Sequence, residues 1–321
     1  MIWFKKMGLG YLLIFIGSAL MCGMTVVRKE YQRRVDATLV STITFMGGYS
    51  LIVCLIGSIY GFFTDFSLIR QLDGLVLGLS ALFSLILTVN TCLCIFGAKY
   101  GSLAILIIFA NLGTLMISMI YGLITDPVRN ELNGFNILGM VFLPVILALS
   151  FFAERKNKQT EETGKQHQHG WKFLMICILI FFFNGSALPV YSAFSTYRGG
   201  YGGFNFIFLY LFFCILLCAV ALAMLLCLQR KKADPVSNVR MCISTKTLLC
   251  MLTYGGGFLL SEFTTIKITE IMPIVVQAPL KFAVDVVMVA MADFLLFKQK
   301  ITKIQFAQIG LALISGVLFV L

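Results

Sequence analysis

The chain has 321 residues, 60% of them hydrophobic and only 12% charged, with a net charge of +11. Globular domains carry roughly twice that charged share, about 25%. No stretch between the apolar segments is long enough to bury a soluble core, so no extramembrane domain is expected.

Ten apolar stretches are predicted to span a bilayer, at 7–27, 37–63, 72–97, 101–124, 135–153, 172–195, 204–228, 247–268, 272–297 and 304–321. A hydrocarbon core of roughly 30 Å needs roughly 20 apolar helical residues. The first stretch follows Lys5 and Lys6, as a signal peptide would. It outruns a signal h-region and has a counterpart later in the chain, so it is read as a span rather than a cleaved leader. Met21-Cys22 lacks the small residue that a lipoprotein cleavage site needs. The longest polar stretch, Glu154 to Gly170, divides the chain into 1–155, a linker at 156–170, and 171–321. The expected fold class is an all-α membrane protein, ten transmembrane helices in two five-helix repeats.

The positive charge suggests nucleic acid, but its placement argues for topology instead. Of 25 Lys and Arg, 18 fall between odd and following even spans, as in Arg28, Lys29, Arg33 and Arg34 after the first. Six fall on the other side, among them Lys5, Arg70, Arg129 and Arg198. This is the positive-inside signature, and it puts both termini outside. No nucleic-acid partner is expected. The cysteines lie mostly within spans and make no zinc-ligand spacing, so they read as small apolar filler, with no metal or cofactor expected.

The two parts resemble each other. Phe15-Ile16-Gly17-Ser18-Ala19-Leu20 and Phe183-Asn184-Gly185-Ser186-Ala187-Leu188 agree in five of six residues at the same depth. An offset of 171 lays spans three to five on spans eight to ten: Gly139 meets Gly310, Phe135 meets Phe306, and Asn90-Thr91 meets Ser261-Glu262. An odd number of spans per unit forces the second copy in from the opposite side. Inverted repeats of this kind recur in secondary transporters, with the site at the repeat interface near mid-bilayer.

On these residues the chain resembles the drug/metabolite transporter superfamily, of the ten-span EamA type. The resemblance rests on the layout, the two Gly-Ser-Ala-Leu segments, Pro279, and the ending Phe297-Lys298-Gln299-Lys300-Ile301-Thr302 followed by Gly310 and Gly316. Family members usually carry an acidic residue where Gln299 stands. The resemblance implies export or exchange of small metabolites, a bacterial plasma membrane, and cytoplasmic termini, the last opposite to the charge count.

An ionisable group within a span costs roughly 2.5–3.5 kcal/mol on insertion scales, so it marks a candidate site. The first seven spans hold none well inside them. Span eight holds Glu262, and span nine holds Lys281 and Asp285. Lys281 and Asp285 share a helix face at i,i+4. They are either a self-neutralising pair or a pair opened by a charged substrate or a proton. Glu262 is expected to face Lys281 across spans eight and nine, to be protonated, or to hydrogen-bond to Ser261 or Thr264. Neutral polar candidates are Ser18, Asn90, Thr91, Asn111, Thr114, Asn184, Ser186, Asn205, Ser261 and Gln277, either lining a cavity or joining helices. Tyr191 is a candidate cavity aromatic. Gly255, Gly256, Gly257, Pro189 and Pro279 are candidate hinges or close-packing points.

The leading expectation is a secondary carrier working by alternating access on a small metabolite or drug-like solute, coupled to a proton or counter-solute. The alternatives are an exporter or flippase for an amphiphilic or lipid-linked molecule, or a non-transporting scaffold. An intramembrane enzyme is disfavoured. No span contains His, Gly47-Gly48-Tyr49-Ser50 does not complete a serine-rhomboid motif, and Asp285 has no facing partner Asp.

Overall fold

The computed structural model describes residues 2–35, 38–64, 73–100, 103–127, 133–149 (apart from 143, 146 and 147), 170–198, 203–229, 243–295 and 303–320. The expected linker at 156–170 falls outside these apart from Gly170, as does the hairpin Phe297–Thr302.

Among the described residues the chain forms ten helices. They are α1 Ile2–Arg34, α2 Leu39–Thr64, α3 Gly74–Tyr100, α4 Leu103–Thr125, α5 in pieces over 134–149, α6 Gly170–Arg198, α7 Gly203–Gln229, α8 Thr245–Ile271, α9 Ile274–Leu295 and α10 Lys303–Val320. Five carry a described stretch long and apolar enough to cross a bilayer: Gly8–Arg28, Leu39–Ile59, Gly74–Cys94, Lys172–Tyr197 and Phe206–Cys227. Their outward faces carry Phe15, Leu55, Phe182 and Val220, each at least half exposed. A water-facing surface of that kind would aggregate, whereas in lipid it is solvated. The protein is a multi-pass membrane protein.

Charge does not end a helix where it ends hydrophobicity. The apolar run stops at Val27, but α1 continues to Arg34. Arg28, Lys29, Arg33 and Arg34, placed after the first span by the sequence, therefore lie on a continuation of its helix. Arg, Lys and Glu are good helix formers, and Arg34 pairs with Glu30 at 2.7 Å one turn back. α8 starts at a capping box, with Ser244 accepting from the Thr247 backbone and the Thr247 hydroxyl accepting from the Ser244 backbone. It stops before Pro273, where α9 begins.

Helices in lipid associate through close packing and polar contacts, because burial of apolar surface gives no net drive there. Glycines mark the closest approaches. A Cβ on Gly113 of α4 would run into the Phe181 backbone carbonyl of α6, and one on Gly185 of α6 would run into the Gly113 carbonyl. α1 crosses α8 with Gly10 against Met272, Gly17 against Thr264 and Met24 against Gly257, so the two run antiparallel. α2 and α7 are antiparallel too, with Gly47 against Cys218 and Gly57 against Phe208.

The main pairings are α4 with α6, α1 with α8, α3 with α6, α2 with α7, α9 with α10, α3 with α7, α1 with α9, α4 with α9 and α2 with α8. α5 meets α10 through Ser315 Oγ donating to Gly139 O at 2.9 Å. Because α7 runs against α2, the α1–α2 junction and the α6–α7 junction sit at opposite ends of the bundle. The largest core cluster fills the space between them, from Tyr31 and Phe45 to Phe206 and Tyr210.

Candidate functional site

Glu262 sits on α8 and points inward. Its Oε2 accepts a hydrogen bond from Tyr210 Oη of α7 at 3.0 Å, and Tyr191 Oη of α6 donates to Tyr210 Oη at 3.3 Å. The partner of Glu262 is thus neither Ser261 nor Thr264. The Ser261 carbonyl is taken by the Thr264 and Thr265 hydroxyls. Both tyrosines are buried. A phenol can donate to a carboxylate and accept from a second hydroxyl, so the three groups form a short relay.

Two groups of aromatic rings flank this position. Toward the α6–α7 end, Phe83 packs on Tyr191 and Tyr210 with ring centroids 4.6 Å away in both cases, and Phe194 stacks on Phe206 at 4.3 Å. Toward the α1–α2 end, Tyr31 packs on Phe45 at 4.5 Å, Tyr49 on Tyr254 at 4.8 Å and Phe45 on Tyr254 at 5.0 Å. These separations suit tilted and edge contacts.

α9 contributes a polar stripe. Gln277, Lys281 and Asp285 recur every four residues, one above the other on a helix face. The expected Lys281–Asp285 pair does not close, since no ion pair within 4.0 Å joins them. Lys281 instead acts electrostatically on both Glu262 and Asp285. Its long stem lets the ammonium leave its own helix face. Ser18 of α1 faces Asp285, yet neither Ser18 Oγ nor Asp285 Oδ1 completes a hydrogen bond among the described residues. Gln277 is fully buried with both amide atoms unpartnered. Each such group costs about 1–3 kcal/mol. The stripe is therefore polar surface set within an apolar bundle.

Lys281 as a shared cation predicts an order of damage. Lys281→Met strands two carboxylates, whereas Asp285→Asn removes one and leaves the cation with Glu262. Breaking a close buried pair costs about 3–5 kcal/mol; Lys281 makes no such close pair, so Lys281→Met should lose less than that, about 2 kcal/mol, and Asp285→Asn less again. Thermal unfolding of the purified variants measures it. A Lys281→Met protein that melts no lower than Asp285→Asn would remove Lys281 from that central place.

The neutral candidates divide. Asn184 of α6 donates to Ala110 O at 2.9 Å and Thr114 Oγ1 at 2.8 Å, both on α4, and accepts from Asn90 Nδ2 of α3 at 3.0 Å. These residues tie three helices together around the Gly113–Gly185 contact. Asn111 is half-buried on α4 and takes no part. The Thr91 and Ser186 hydroxyls bond back to their own helices, at Leu87 O and Phe182 O. The Asn205 side chain lies outside the described residues. α8 runs unbroken through Gly255, Gly256 and Gly257, with Gly255 against Tyr49 and Val53 and Gly257 against Met24. α6 and α9 likewise continue through Pro189 and Pro279.

Sequence reasoning passed over Tyr210, Tyr49, Tyr254 and Arg28. The first three carry a faint signal, an aromatic four residues from another at Phe45–Tyr49, Phe206–Tyr210 and Tyr254–Phe258. Nothing in the order of residues shows which helix faces them.

No family model matches the chain, and no curated protein does. Chains of known structure do match. One crystal structure, described only as that of a protein, superposes with a TM-score of 0.62 at 15% identity, covering 97% of this chain and 96% of that one. At that identity the likeness is one of fold, and it extends over the whole chain.

Proposed function

We propose that the chain is a secondary carrier of the drug/metabolite transporter kind, built as ten spans in two inverted five-helix repeats and moving a small polar solute by alternating access. The observation that carries this reading is the polar stripe Gln277–Lys281–Asp285, with a fully buried Gln277, unpartnered atoms on Gln277 and Asp285, and an electrostatic link from Lys281 to Glu262. Polar groups held in the middle of an apolar bundle are costly, and a solute that exchanges for water there is the usual reason they persist.

The pairings support the repeat. Exchanging each helix of α1–α5 with its counterpart in α6–α10 turns α4–α6 into α9–α1, α1–α8 into α6–α3, and α3–α7 into α8–α2, all of which occur. α2 meets its own counterpart α7 antiparallel, as an in-plane twofold requires. The offset of 171 carries Asn90, Ala110 and Thr114 onto Ser261, Lys281 and Asp285. In this reading one copy holds a neutral clasp where the other holds the charges.

A second reading, export of an amphiphile, is favoured by an apolar groove of about 430 Å³ between α1 and α8, lined by Phe15, Ile16, Ala19, Leu20, Gly23, Met24, Val27, Thr253 and Gly257. Efflux from proteoliposomes loaded with labelled amino acids, nucleosides and aromatic carboxylates tests the carrier. At least one solute should leave faster than from protein-free liposomes. Equal retention of all of them, with faster transbilayer movement of a fluorescent phospholipid, would favour the groove instead.

A further inference from the structure

Arg28 lies six residues before the end of α1, half-buried, and it makes no ion pair among the described residues. The nearest acid along its own helix, Glu30, pairs with Arg34 at 2.7 Å. The guanidinium turns inward and acts electrostatically on Tyr254 of α8 and on Cys92 and Cys94 of α3. It lines a cavity of about 20 Å³ with Tyr31, Thr42, Tyr49, Thr91 and Tyr254. That volume is about one water. Four aromatic rings, of Tyr31, Phe45, Tyr49 and Tyr254, share the walls with the hydroxyls of Ser41, Thr42 and Thr91 and with Met46, and the arginine is the cation among the lining residues.

A guanidinium offers a planar fork of donors that fits a carboxylate or phosphate in two parallel hydrogen bonds. Beside it, Tyr254 and Tyr49 present ring faces and edges suited to a flat apolar body. Neither Glu262 nor the α9 stripe offers both. We propose that Arg28, with Tyr254 and Tyr49, is the recognition site for an aromatic anion at the α1–α2 end of the bundle, which makes a small aromatic carboxylate or phosphate the substrate class of the carrier. The inference rests on the carrier reading for the word substrate, while the site itself does not. In this structure the cavity is closed down, so the ligand separates Tyr254 from Phe45 on entry.

Isothermal titration of the full chain in phosphatidylcholine nanodiscs tests it, with 4-hydroxybenzoate, phenyl phosphate and the uncharged 4-hydroxybenzamide as probes. Saturable binding of at least one anion is expected, with the amide at least tenfold weaker. Arg28→Gln should abolish binding, Arg28→Lys should weaken it about tenfold by keeping charge and losing the fork, and Tyr254→Phe should bind as wild type while Tyr254→Leu does not. The wild-type comparison of acid with amide needs no variant to fold. Amide binding equal to the acid, an unaffected Arg28→Gln, or no binding of either anion overturns the site. So does binding of phosphatidylglycerol alone, which would make Arg28 a lipid contact. Binding without efflux of labelled 4-hydroxybenzoate from proteoliposomes overturns the carrier and leaves the site standing. Efflux untouched by Arg28→Gln overturns the site and leaves the carrier.

Discussion

Glu262→Gln should cut transport at least tenfold while leaving the protein folded. Glutamine keeps the shape of the side chain and an oxygen that accepts from Tyr210 Oη, now 3.0 Å from the carboxylate. It loses the charge that Lys281 meets and the capacity to take up and release a proton. Losing one charge-assisted hydrogen bond in favour of a neutral one costs about 1 kcal/mol, so unfolding should shift only slightly. The rate effect follows from the chemistry lost. Initial rates driven by an imposed pH gradient in proteoliposomes, with thermal unfolding alongside, separate the two. A wild-type rate in Glu262→Gln would exclude the carboxylate from coupling.

Gly113→Ala should damage the fold more than any other one-methyl change described above. The added Cβ would overlap the backbone carbonyl of Phe181, and backbone cannot rotate away as a side chain does. α4 and α6 would have to separate, stretching the Asn184 bonds to Ala110 and Thr114 at 2.9 and 2.8 Å. Overpacking costs about 1–3 kcal/mol, and lost buried hydrogen bonds add about 1 kcal/mol each, for a total of about 3 kcal/mol or more. Gly78→Ala is the control, because nothing lies within 4 Å of its Cβ position. Helix propensity alone makes that change neutral or favourable. Equal melting temperatures for the two variants would falsify the close approach.

The sequence showed apolar helices of membrane-spanning length plainly, five of them among the described residues, because hydropathy is a property of each residue. It also singled out Glu262, Lys281 and Asp285, since charge within an apolar run stands out wherever it points. It did not show Tyr210 as the donor to Glu262, because the two residues are 52 positions apart and their meeting depends on how α7 crosses α8. The i,i+4 spacing of Lys281 and Asp285 suggested a closed pair, but a flexible stem can reach past its own helix, and spacing does not record reach. Gly185 was noticed as part of a repeated segment, whereas its contact with Gly113 is a matter of two helices touching. Arg28 was placed beyond the first span because hydrophobicity ended there, and nothing in that reading showed that helical hydrogen bonding continued past it.

The two aromatic groups have an electrical consequence. Their rings are mostly buried in one core cluster, one group toward the α1–α2 end and the other, which includes the Tyr210 bonded to Glu262, toward the α6–α7 end. Low-dielectric packing takes up more of an applied transmembrane voltage than water of the same thickness does. A full charge crossing the whole field changes energy by roughly 2.3 kcal/mol per 100 mV. On the proposed carrier reading, an ion reaching Glu262 from one face would pass one aromatic group and work with or against part of that voltage, so occupancy of the carboxylate would depend on membrane potential as well as on concentration.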